Sequence, residues 1–145
     1  MPEEVVRVYF DANVFIYAME TDNDRGLLAR RWIAQLDRRE ILGVTSELTL
    51  GEVLPHPIAS DDHDPIRAYD RLLKDRTTLR VCPVERSLVI AAAKLRALLK
   101  AELPDAIHVA TAIEMKCEGF LTEDERLKLP PGIKKLSLID ARYPL

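Results

Sequence analysis

Apolar residues run from Val5 to Phe10 with one break at Arg7, stop at Asp11, and resume at Val14-Phe15-Ile16-Tyr17. A β-branched and aromatic run of this kind predicts a buried strand that delivers Asp11 to its carboxyl end, followed by a short apolar turn to Met19. Past the polar run at 20–24, which can cap a helix, Leu28, Trp32 and Leu36 recur at i, i+4 and i+8. That spacing predicts a helix over 25–39 with one stripe on the core, leaving Arg30, Arg31, Arg38 and Arg39 mostly off it. Trp32 lies on the stripe and reads as core rather than as a platform for stacking bases. A second strand over 41–45 ends at Ser46, a good N-cap for a helix over 47–54, which Pro55 and Pro57 are expected to stop.

Residues 56–65 read as a loop. Its Ser60-Asp61-Asp62-His63-Asp64 cluster resembles a metal site in composition only, since adjacent acids beside prolines mark a solvated loop or a helix cap. A helix over 66–76, with Ile66, Tyr69, Leu72 and Leu73 inward, leads to a third strand over 79–84. The spacing of Leu88, Ala92, Leu95 and Leu99 predicts a helix over 85–100 that turns Arg86, Lys94, Arg96 and Lys100 outward. Pro104 and Asp105 open a helix over 105–116, ended by Gly119. A short strand over 120–122 runs into Glu123-Asp124, and a last strand over 135–139 follows the Pro130-Pro131-Gly132 turn. Strands alternating with helices predict an α/β fold, a parallel or mostly parallel sheet with helices on both faces.

Composition narrows the picture. A chain of 145 residues, 48% of them apolar, fits a single domain over 1–145 with a real core. The net charge of -3 excludes a globally basic coat for nucleic acid, though not a local basic face beside an acidic cleft. Cys82 and Cys117 stand far apart, so neither a zinc ribbon nor a thioredoxin-like pair is present. Residues 1–4 carry no basic start before an apolar run, and no apolar stretch approaches membrane-spanning length, so a soluble, cytoplasmic protein is expected.

The candidate chemistry lies in the acids. Parallel strands put Asp11 and Asp124 on one carboxyl rim of the sheet, where open α/β sheets bind ligands. Asp105 begins a helix that runs back to the start of the fourth strand, and such a crossover starts from the same rim. Glu52 sits about 9 Å along its helix from the Ser46 cap and reaches the rim only if that helix crosses the sheet edge. Carboxylates gathered in one cleft raise each other's pKa unless a cation intervenes, and an all-oxygen set selects Mg²⁺ or Mn²⁺. Asn13 and Thr122 are placed to orient the carboxylates or waters. Thr111 and His108 share the Asp105 face, and His108 reads as a packed or solvent-tipped residue.

The segments DANVFIY, SELTLGEVL, LPDAIHVATA and FLTEDERL, in this order and spacing, resemble the PIN-domain ribonucleases, and most closely the VapC-like toxins of toxin-antitoxin pairs. The resemblance covers nearly the whole chain. It implies an α/β/α sandwich, an acidic quartet at Asp11, Glu52, Asp105 and Asp124 that holds Mg²⁺ or Mn²⁺, and polar helpers at Asn13 and Thr122. It also implies RNA as substrate, a homodimer, and a neutralising antitoxin. Glu123 departs from the family's frequent Asn, and an acid there would either face solvent or change the number of metals. Arg30, Arg31, Arg38, Arg39, Lys94, Arg96 and Lys100 are candidate phosphate contacts, with solvated helix faces the simpler reading for most. Two rival classes fit poorly. A phospho-acceptor receiver wants acidic neighbours at the first strand and an Asp after the third, and an Asp-x-Asp phosphatase wants an acid where Asn13 stands. A PIN fold that binds RNA or protein without cutting is the remaining alternative.

Overall fold

The computed structural model describes residues 5–140; residues 1–4, discussed above for the lack of a basic start, lie outside them, as do 141–145. The chain alternates strand and helix: β1 (Arg7–Phe10), α1 (Ala12–Glu20), α2 (Asp24–Asp37), β2 (Leu42–Ser46), α3 (Glu47–Val53), α4 (Pro55–Ala59), α5 (His63–Leu72), β3 (Leu79–Cys82), α6 (Arg86–Leu99), α7 (Leu103–Glu114), β4 (Gly119–Leu121) and β5 (Lys134–Leu136), with a 3-10 turn at Leu138–Asp140. The five strands form one sheet in the order β3-β2-β1-β4-β5, and every pairing is parallel. The sheet expected to be mostly parallel is therefore parallel throughout the described residues.

Period-two alternation along β1 splits the core. Val8 and Phe10 face the layer of α1, α2, α3 and α5, packing with Phe15, Trp32, Leu36 and Tyr69. Tyr9 faces the opposite layer with Val44, Phe120 and Val109 of α7. The result is an α/β/α sandwich. Trp32 is fully buried and donates its indole N–H to the Leu138 carbonyl at 3.2 Å, so it is core, as its periodicity indicates.

Three local expectations are corrected. The apolar stretch after Asp11 is not a turn but helix α1, because the Asp11 carboxylate accepts from the Ala12 N–H at 2.8 Å and starts a helix at once. Pro55 does not end the helical run. It opens α4 from its first turn, where a missing N–H costs no intrahelical bond, so most of the expected loop at 56–65 is helical in α4 and α5. The strands after α5 and after the Pro-Pro-Gly turn are also shorter than their apolar runs, spanning Leu79–Cys82 and Lys134–Leu136. Ser46 caps α3 as expected, accepting from the Leu48 N–H at 3.0 Å. Among the described residues, no helix is long and apolar enough to cross a membrane.

Candidate active site

β1 and β4 are neighbours in register, with Phe10 opposite Leu121, so the residues that follow them meet at the carboxyl edge of the sheet. The Thr122 hydroxyl donates to Asp11 Oδ2 at 2.7 Å, the other oxygen of Asp11 being held by the α1 cap. Asn13 bridges the two crossings: its amide nitrogen donates to Thr122 Oγ1 at 3.2 Å, and its carbonyl oxygen accepts from the Glu123 N–H at 3.4 Å. The Asp124 N–H donates to Thr122 Oγ1 at 3.0 Å, and the Asp124 carboxylate accepts from the Arg126 N–H at 3.0 Å. Asp11 and Asp124 are thus fixed by a shared lattice of short polar side chains.

Asp105 stands in the first turn of α7. Burial, and then the negative charges of Asp11 and Asp124, hold its carboxyl above the ordinary carboxylate range. The structure therefore brings these three acids into electrostatic range. As placed, no three His, Cys, Asp or Glu side chains among the described residues converge tightly enough to chelate one ion. A dispersed set of carboxylate oxygens matches a small hard cation that keeps most of its own waters and binds through one or two carboxylates plus substrate phosphates. The acids at 61–64 are exposed: His63 pairs with Asp61 at 3.1 Å, and Asp64 with Arg67 at 2.5 Å.

Glu52 is held elsewhere on the same rim. Its Oε1 lies 2.5 Å from His108 Nε2, which places it against α7 one turn past Asp105. His108 is only 1% exposed, and its Nδ1 lies 2.6 Å from the Tyr9 hydroxyl. It is therefore packed, as expected, yet both ring nitrogens are engaged. Glu123 is half-buried rather than facing solvent. Its Oε1 accepts from the Leu138 N–H at 2.7 Å and ties the β4 exit to the 3-10 turn.

The cations sort by position. Arg30 donates to the Ala18 and Thr21 carbonyls and staples α2 to the end of α1; Arg38 pairs with Glu40, and Arg96 donates to the Ala101 carbonyl. Lys100, by contrast, lines a groove of about 410 Å³ together with Glu102, Asp105, Asp124, Arg126 and Lys128. Arg31, Arg39 and Lys94 do not line that groove. Arg126 and Lys128 escaped the sequence reading because they sit in an irregular segment with no periodicity to mark a face; their places two and four residues past Asp124 were the available signal.

A family model for the PIN domain matches residues 8–132. No curated protein sequence matches the chain. Among solved structures, a toxin-antitoxin complex from Klebsiella pneumoniae is similar at 22% identity and a TM-score of 0.64, over 87% of this chain and 94% of that one. A DNA-bound VapBC from Salmonella typhimurium is similar at 15% identity and a TM-score of 0.69, over 92% and 99%. The Mycobacterium tuberculosis toxin VapC20, described as cleaving the sarcin-ricin loop, is similar at 19% identity and a TM-score of 0.62, over 82% and 92%. At these identities the structural likenesses speak for the fold, and the family match over residues 8–132 places the chain in the PIN domain family.

Proposed function

We propose that this single domain is a metal-dependent endoribonuclease, the toxin of a toxin-antitoxin pair. The observation that carries the reading is the meeting of Asp11, Asp105 and Asp124 at the carboxyl edge of the sheet, where burial first and the charges of the other two acids next raise the pKa of Asp105. Asp11, Asp105 and Asp124, with Glu52 beside them, would hold Mg²⁺ or Mn²⁺. When bound, such a cation offsets charge that builds on a phosphodiester and makes water a better nucleophile near neutral pH. Thr122 and Asn13 keep Asp11 in one rotamer, and the Arg126 N–H does the same for Asp124. Lys100, Arg126 and Lys128 line the groove that opens onto Asp105 and Asp124, so the RNA backbone would run there, its phosphates on the cations and the scissile bond at the acids.

The solved toxin-antitoxin assemblies of the same fold support an antitoxin partner, and a homodimer is proposed from the family resemblance alone. Light scattering of the isolated chain is then expected to give twice 16.5 kDa, and a monomer would remove the dimer from the proposal. The central test is cleavage of RNA by antitoxin-free protein with Mn²⁺, with EDTA as control. Asp11→Asn and Asp105→Asn are each expected to abolish it. Retained cleavage in either variant would refute the assignment. A protein that binds RNA yet neither binds Mn²⁺ nor cuts would instead be the inert PIN module.

A further inference from the structure

We propose that His108 is a positioning residue for Glu52, the middle of a buried relay in which Tyr9 fixes the ring and the ring fixes the carboxylate. This rests on the reading that Glu52 belongs to the metal-holding acids.

The relay begins in the sheet. Tyr9 is fully buried on β1, stacked on Phe120 at 4.8 Å between ring centroids and edge-on to His108 at 5.7 Å. Its phenolic O–H is a donor with no water to take it. The only ring atom in reach is His108 Nδ1, at 2.6 Å. If the Tyr9 O–H donates there, Nδ1 carries no proton, and a neutral ring must carry it on Nε2. Nε2 then donates to Glu52 Oε1 at 2.5 Å. In this arrangement the Tyr9 hydroxyl, the ring and the Glu52 carboxylate each have a partner.

This matters because Glu52 has little else to hold it. About a third of its side-chain surface is exposed, and it projects from α3, a helix of 7 residues. A free glutamate there would sample several rotamers, each at an entropic cost when a ligand immobilises it. His108, at 2% side-chain exposure, is immobile by comparison. The sequence separations of 56 and 99 residues explain why neither contact was visible before the fold was known.

The test is calorimetric titration of the metal-free full chain with Mn²⁺, comparing two variants that each keep one half of the relay. In His108→Asn, the amide oxygen can accept from Tyr9 in place of Nδ1, but nothing reaches Glu52. In His108→Gln, the longer amide can donate to Glu52 in place of Nε2, while the Tyr9 partner is lost. Loss of an outer partner of a ligating group typically costs about 10–100-fold in metal affinity, so His108→Asn should fall in that range. His108→Gln should recover most of the loss. Both variants lose one buried bond, so a purely structural role would lower their melting temperatures alike and would not split their Mn²⁺ affinities. Equal affinities in the two variants overturn the proposal. If His108→Asn does not fold, Tyr9→Phe decides: weakened Mn²⁺ binding supports the relay, and unchanged binding overturns it. A wild-type chain that binds no Mn²⁺ at all overturns the metal reading and this inference with it, a result distinct from wild-type binding that the variants leave unaltered.

Discussion

At the scale of single residues, gathering the acids costs stability. The carboxyl of Asp105 holds its proton to higher pH in the folded chain than in the unfolded one, because of burial and the charges of Asp11 and Asp124. Ionising it therefore subtracts stability as pH rises from the unfolded to the folded pKa. Metal-free Asp105→Asn is expected to melt higher than the wild type at neutral pH, with the difference vanishing in acid, where both side chains are neutral. Saturating Mn²⁺ should reverse the order, since only an intact site gains from binding. Equal melting curves at all pH values would contradict this. Asp11, Asn13, Thr122 and Asp124 were legible in the sequence because each lies within three residues of a strand end, where an apolar run stops at a polar group. Glu123 and His108 were not, because their partners, Leu138, Tyr9 and Glu52, are set by packing between distant elements.

At the scale of elements, α2 approaches the end of α1 closely at Gly26. A Cβ on Gly26 would stand 1.8 Å from the Thr21 carbonyl oxygen and 3.0 Å from that of Tyr17, both backbone atoms that cannot swing aside. Gly26→Ala is expected to destabilise by about 3 kcal/mol in urea unfolding, at the upper end for overpacking. Gly51 has open space around it on α3, so Gly51→Ala is expected to stabilise by about 0.5–1 kcal/mol through helix propensity. A similar response at both positions would deny the close approach. The sequence disclosed the strand-helix alternation and the Ser46 cap. It misplaced α1 and α4, because an apolar run after Asp11 and a proline at residue 55 each allow two local readings, and tertiary packing selects the helical one.

At the scale of the whole molecule, cations and acids share one groove, Lys100, Arg126 and Lys128 with Glu102, Asp105 and Asp124. With three cations lining one groove, RNA affinity should depend on salt, with a log–log slope falling by about 0.7 for each phosphate contact removed from a single strand. Lys128→Ala and Arg126→Ala are each expected to show that reduction, and Arg30→Ala is not. An unchanged slope in both groove variants would move the RNA path elsewhere. The core should also set an alkaline limit. Burial pushes the Cys117 thiol up to about 12, and Tyr9 and Tyr69 are raised for the same leading reason. These groups ionise first in the unfolded chain, so stability should decline as pH passes the ordinary thiol pKa of about 8.5 toward the raised values. Cys117→Ala should flatten that decline in urea midpoints measured across the range.

The sheet order has a consequence in time as well as in space. β4 enters between β1 and β5, and the Thr122 to Asp11 hydrogen bond closes a span of 111 residues. A chain emerging from the ribosome carries Asp11 early, yet the edge that would hold it in place arrives only with β4. The acids cannot assemble until residue 124 has cleared the exit tunnel. The ribonuclease proposed for this fold would on this order stay unarmed through most of its own synthesis, beside the RNA-rich machine that makes it.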